Sequence, residues 1–156
     1  MDTSDIIQLI VIVILLALSA FFSSSETALT TVNKHKLRSL MEGGNKSAAK
    51  VLKVTENSGK LLSTILIGNN IVNIYASSLT TTWATDVFGN KYVGLATGAL
   101  TLLVLIFGEI TPKTLATQKA VSMSMFVVYP ISFLMFVFTP VIWVLNLLTG
   151  AIFKIL

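Results

Sequence analysis

Phe107-Gly108-Glu109-Ile110-Thr111-Pro112-Lys113 closes a long apolar run that begins at Tyr92. With its flanks the run is long enough to cross most of a bilayer. An acid at the centre of a membrane helix costs about 2.5–3.5 kcal/mol on insertion scales, so it faces a protein interior or a wet cavity. Pro112 has no N–H, and its ring crowds the carbonyl four residues back, which belongs to Gly108. A freed backbone oxygen beside a carboxylate at membrane depth is a donor set that suits a hard cation. The plainer alternative is a helix that ends at Pro112 and leaves Glu109 at the aqueous interface.

The rest of the chain agrees with a membrane setting. Of 156 residues, 54% are hydrophobic and 12% are charged, against about 25% charged in soluble domains. There is no cysteine and one histidine, His35. Disulfides, thiolate or histidine-built metal sites and a Ser-His-Asp triad are thereby disfavoured. Serines are plentiful, but no base stands ready to activate one, and the chain reads as a non-enzyme. The net charge of +4 does not indicate nucleic acid. The basic residues cluster in one loop between apolar segments, as in a cytoplasmic loop.

Outward from the opening stretch, three membrane spans are expected, at about 5–30, 61–83 and 92–112. The first is expected to stay as a transmembrane helix rather than be cleaved as a signal peptide, since Asp2 and Asp5 replace the basic start that one would have. It ends in Phe21-Phe22-Ser23-Ser24-Ser25-Glu26. Serine hydroxyls in helices bond back to the preceding turn, which accounts for at least two of the three. One remaining hydroxyl turned inward would offer an oxygen to a cation. Glu26 is expected instead to cap the helix or to pair locally with the basic loop.

Residues 34–60 carry Lys34, Lys36, Arg38, Lys46, Lys50, Lys53 and Lys60. Apolar residues recur there every three or four positions, predicting short amphipathic helices at the membrane surface, broken at Gly43-Gly44. The second span is polar for its setting. Asn69, Asn70 and Asn73 can lie near one face. Their amide oxygens are hard neutral ligands that require a polar interior. Residues 121–150 are apolar but carry Pro130 and Pro140. They form either a fourth, kinked span or, the favoured reading, helices that dip into the membrane and return. The N-terminus then lies outside, with the basic loop and the C-terminus cytoplasmic.

Three motifs, Ala20-Phe21-Phe22-Ser23-Ser24-Ser25-Glu26-Thr27-Ala28-Leu29, Ile67-Gly68-Asn69-Asn70-Ile71-Val72-Asn73 and the opening stretch, resemble in order and spacing the transmembrane domain of the CorC/cyclin-M (CNNM) magnesium transporters. The resemblance covers essentially the whole chain. It implies an all-α membrane protein of the plasma membrane, three transmembrane helices with juxtamembrane amphipathic helices, assembled as a homodimer in the lipid bilayer. It implies Mg²⁺ efflux coupled to Na⁺, with no nucleic acid partner. A cytoplasmic CBS region would follow. It is absent here, since the sequence stops at Leu156, as expected for a piece of a longer protein.

By position, the resemblance makes Ser23, Asn73 and Glu109 ligands of Mg²⁺, with Asn70 a further candidate. Backbone carbonyls of Gly108 and Ala116 would complete the shell. Mg²⁺ takes six oxygens in an octahedron, and a single carboxylate leaves the occupied site at +1, which favours release. A Na⁺ site would draw on Ser24, Ser25, Glu26 or Asn69. The alternative function is a Mg²⁺-sensing membrane anchor for cytoplasmic modules, without ion flux. A purely structural subunit, with Glu109 and the asparagines as helix–helix glue, is a third reading.

Overall fold

The computed structural model describes all residues from Met1 to Leu156 and is helical throughout. Helix α1 runs Thr3–Thr31, α2 Lys34–Glu42, α3 Lys46–Glu56 and α4 Ser58–Phe88. A short 3₁₀ turn at Asn90–Tyr92 leads into α5, Val93–Leu103. A π-helical stretch, Val104–Ile110, joins α5 to α6, Thr111–Gln118. Helices α7, Ala120–Val137, and α8, Thr139–Ile155, complete the chain.

Local chemistry sets these boundaries. The Asp2 amide donates to the Asp5 carboxylate at 2.9 Å and closes the start of α1. Asn33, Asn45 and Asn57 each accept a backbone N–H at the start of α2, α3 and α4, the role for which a short amide side chain is suited. Gly44 turns the chain between α2 and α3 at φ 95°, a region that favours glycine. The expected pair of amphipathic helices and their break are therefore present. Pro140 lies in the first turn of α8 and marks the break after α7. Pro130, in contrast, leaves α7 continuous. Val127, Val128 and Ile131 around it are buried, so packing holds the helix through the missing hydrogen bond.

Three helices are long and apolar enough to cross a membrane: α1, the rod from Asn90 to Gln118, and α7. Helix α4 is the longest, with 31 residues. Its asparagines, serines and threonines keep it out of that set, although the sequence reading makes it a span. It nevertheless accompanies α1 along its length in the opposite direction. Gly68 meets Phe22, Asn69 meets Ser19, and Thr80 and Trp83 share a groove with Ile12 and Leu9. The Asn90–Gln118 rod follows α1 in the same direction: Leu100 and Leu103 lie beside Ile12, Gly108 against Ser19, and Lys113 beside Glu26.

Helix α7 covers less of α1. Phe133, Leu134 and Phe138 meet Leu18, Phe21 and Phe22, and Tyr129 reaches α3 through a 2.7 Å hydroxyl hydrogen bond with Ser47. The buried core gathers at this end, where Leu29, Leu37, Val51, Leu61, Ile65 and Ile131 pack together. Large apolar side chains remain exposed on α1, α4, α5, α7 and α8, as expected of surfaces that face lipid rather than water.

Candidate cation site

The three long rods meet near mid-length of α1. On α1, Ile12, Leu15, Ser19, Phe22 and Ser23 recur at helical spacing and form one buried stripe. Ser19 donates to Asn69 Oδ1 at 3.4 Å, and Asn73 Nδ2 donates to the same oxygen at 3.4 Å. Both bonds are longer than the 2.7–3.2 Å of well-formed ones, so this oxygen is loosely held. Turned to Asn69, the Asn73 amide leaves its own Oδ1 buried with no partner. An unpaired buried acceptor costs about 1–3 kcal/mol.

The third rod supplies backbone and charge. A Cβ on Gly108 would lie 3.1 Å from Ser19 Oγ and 3.5 Å from Leu16 Cδ1. Glycine thus lets the π-helical backbone rest directly on α1. In this stretch hydrogen bonds run one residue long, and Thr111 N–H donates to the Ile106 carbonyl. Such insertions occur mostly as single turns and often at functional sites. Pro112 directly follows, so a donor is missing just where the register returns to α. Glu109 sits inside this stretch, half-buried. It forms no ion pair: the one salt bridge in the chain joins Lys113 to Glu26 at 3.8 Å.

The sequence candidates are therefore distributed as follows. Gly108 touches Ser19, Glu109 is its neighbour in the chain, and Asn73 reaches Ser19 through Asn69. Ser23 is 1% exposed, one turn beyond Ser19 on the same stripe. Ala116 is fully buried, but it lies past the Glu26–Lys113 pair and away from Ser19. Asn70 is exposed, on the flank of α4 rather than in the cluster.

Ser24 and Ser25 both donate to the Phe21 carbonyl, at 3.0 and 2.6 Å, the back-bonding expected of two of the three serines. Glu26 pairs with α6 and not with the basic loop. Ser19 and the bridging part of Asn69 are the additions that sequence reasoning did not single out. The signal was present: Ser19 interrupts an apolar run four residues before Ser23.

No three His, Cys, Asp or Glu side chains come together anywhere in the fold. The junction holds hydroxyl, amide and backbone oxygens, and the one carboxylate, Glu109, belongs to the residue next to Gly108. These are hard donors, suited to a hard cation.

Comparison with known proteins gives the family. A family profile described as the cyclin M (CNNM) transmembrane N-terminal domain matches residues 10–156. A UPF0053 protein of Haemophilus influenzae is 44% identical over 94% of the chain. The UPF0053 inner membrane protein YfjD of Escherichia coli is 40% identical over 89% of the chain. A polyamine export protein of Escherichia coli is 30% identical over 95% of the chain. The chain spans about a third of the length of these relatives, at 35%, 32% and 36%.

Proposed function

This chain belongs to the cyclin M (CNNM) transmembrane family, and from that premise we propose that it carries a hard cation across the membrane through the junction of α1, α4 and the π-helical stretch. The observation that carries the reading is the free, buried Oδ1 of Asn73, whose amide shares the Asn69 oxygen with Ser19, the residue against which Gly108 packs. In our reading the cargo is Mg²⁺, exported in exchange for Na⁺ by a homodimer at the plasma membrane. Glu109 supplies the charge. Ser23, Asn73 and the Gly108 carbonyl supply neutral oxygens, and Ser19 and Asn69 hold Asn73 in place. Ala116 lines the approach, and Asn70 joins if α4 turns during transport.

The packing supports the membrane arrangement of this reading. Helix α1 has 29 residues, about 44 Å at 1.5 Å per residue, and exceeds the roughly 30 Å hydrocarbon layer. Helix α4 accompanies it throughout, so both cross together with the Asn90–Gln118 rod. Helix α7 is long and apolar enough to cross, but it shares a groove with α1 only at Leu18, Phe21 and Phe22 and breaks at Phe138, which supports reading α7 and α8 as helices that dip and return. The lysine-rich α2 and α3 then lie on the cytoplasmic surface, and the start of α1 lies outside.

Because one relative is named a polyamine exporter, the test compares cargoes. A polyamine is a string of ammonium groups, and a single carboxylate with neutral oxygens accommodates one such group. The chain is reconstituted in liposomes, and efflux of Mg²⁺ and of a polyamine is followed with and without a Na⁺ gradient. Mg²⁺ flux that needs Glu109 and Na⁺ supports the reading. Polyamine flux without Mg²⁺ flux replaces the cargo. Mg²⁺ binding with no flux of either supports the sensing anchor instead.

A further inference from the structure

We propose that the α1–α4 interface between Asn73 and the N-terminal end of α1 is the hydrated path by which the cation leaves, with Gln8, Thr80 and Trp83 as the groups that conduct it. The inference rests on the transport reading above and adds the exit route.

The whole chain holds four buried side-chain atoms without a hydrogen-bond partner: Gln8 Oε1, Asn73 Oδ1, Thr80 Oγ1 and Trp83 Nε1. All four belong to α1 or α4. An unpaired buried polar atom is expensive, and proteins keep few of them. These four form a file rather than a scatter. Thr80 is two turns, about 10.5 Å, beyond Asn73 on α4, and Trp83 is about 4.5 Å further. Thr80 and Trp83 share a groove with Leu9 and Ile12, the residues that follow Gln8 on α1. The file therefore begins at the candidate cation site and ends near the start of α1.

The chemistry of the four atoms selects water over a bare ion. Two are amide oxygens that only accept, one is an indole N–H that only donates, and one is a hydroxyl that does both. A column of water satisfies all of them, and Mg²⁺ gives up its water reluctantly. Side chains close the file in this conformation. Thr80 is 5% exposed, and the adjoining groove, about 540 Å³, is otherwise walled by apolar residues such as Ala99 and Leu103. Opening requires α5 to move. Leu100 is its one buried residue, and the π-helical stretch that joins it to α6 is the natural hinge.

The chain has no cysteine, so single cysteines can be placed without background. Thr80→Cys and Gln8→Cys are compared with Leu95→Cys, whose parent residue is 74% exposed at the groove mouth. A charged, membrane-impermeant thiol reagent is added on the side that bears the start of α1. The reacting species is the thiolate, which needs water. Thr80→Cys and Gln8→Cys are expected to react at least about tenfold faster than Leu95→Cys, with a rate that changes when Mg²⁺ saturates the protein. If both react no faster than Leu95→Cys, the groove is filled by lipid and the path is overturned.

Thr80→Val separates this proposal from the cation site. It should slow efflux several-fold yet keep the Mg²⁺-dependent rise in melting temperature. Unchanged efflux in that variant contradicts the path and leaves the cation site standing. Reactive cysteines in a protein that Mg²⁺ does not stabilise support the path and remove the Mg²⁺ site.

Discussion

The two halves of the α1–α4 interface are built on different rules. Toward the basic helices, Phe22, Leu29, Leu61, Ile65 and Val72 pack into one core that also takes in α3 and α7. Toward the start of α1, buried polar atoms stand unpaired and an apolar groove lies open beside α5. The first half is supported from several sides and tolerates little displacement. The second is supported by α1, α4 and α5, the last with Leu100 as its one buried residue. The transport site we propose between them has a fixed floor and a movable roof, an arrangement suited to alternating access.

The comparison can be broken most sharply at the boundary between the halves. Glu109→Ala should abolish cation flux in liposomes and lower cation affinity by at least the 10–100-fold typical of losing a supporting group around a metal. Insertion and helix content by circular dichroism should be unchanged. Next in size is a probe of the packed half. A Cβ on Gly68 would fall 2.5 Å from the Phe22 ring, so Gly68→Ala is expected to destabilise by about 1–3 kcal/mol in thermal unfolding. The same measurement should find Thr80→Val, in the loose half, no less stable than wild type, because the hydroxyl it removes has no protein partner.

Gly108→Ala sharpens the boundary. Its added methyl carbon, 3.1 Å from Ser19 Oγ, displaces Ser19 by a few tenths of an ångström and should weaken cation binding by about tenfold, read by titration. The smallest effect belongs to the Glu26–Lys113 pair. It is 3.8 Å long with both side chains 44% exposed, so Glu26→Gln should cost less than about 1 kcal/mol.

Much of this architecture was legible in the residues. Apolar length announced α1 and the Asn90–Gln118 rod, and the Gly43-Gly44 break announced α2 and α3. Helix α4 was read through its polarity, because three asparagines within five residues have no place in hydrocarbon alone. What sequence left open has a common physical cause: it depends on which face meets which neighbour. The serine cluster held four-residue spacings that admit either back-bonding or an inward turn, and only packing assigns Ser24 and Ser25 to the first. Asn70 and Asn73 are three apart, yet one is exposed and the other half-buried. The π-helical stretch could not be read from spacing, since its signal is a hydrogen-bond register and not a residue type. The partnerless file on α1 and α4 was likewise invisible, because an orphan atom is defined by what fails to approach it.

The most direct test of the central claim is a Mg²⁺ titration of thermal unfolding on the membrane-reconstituted chain, wild type beside Glu109→Ala. A ligand at 100 times its dissociation constant stabilises the state that binds it by about 2.7 kcal/mol. The account predicts a saturable rise in melting temperature for wild type and none for Glu109→Ala. No rise in wild type, or an equal rise in both, would contradict a cation site at the junction of α1, α4 and the π-helical stretch.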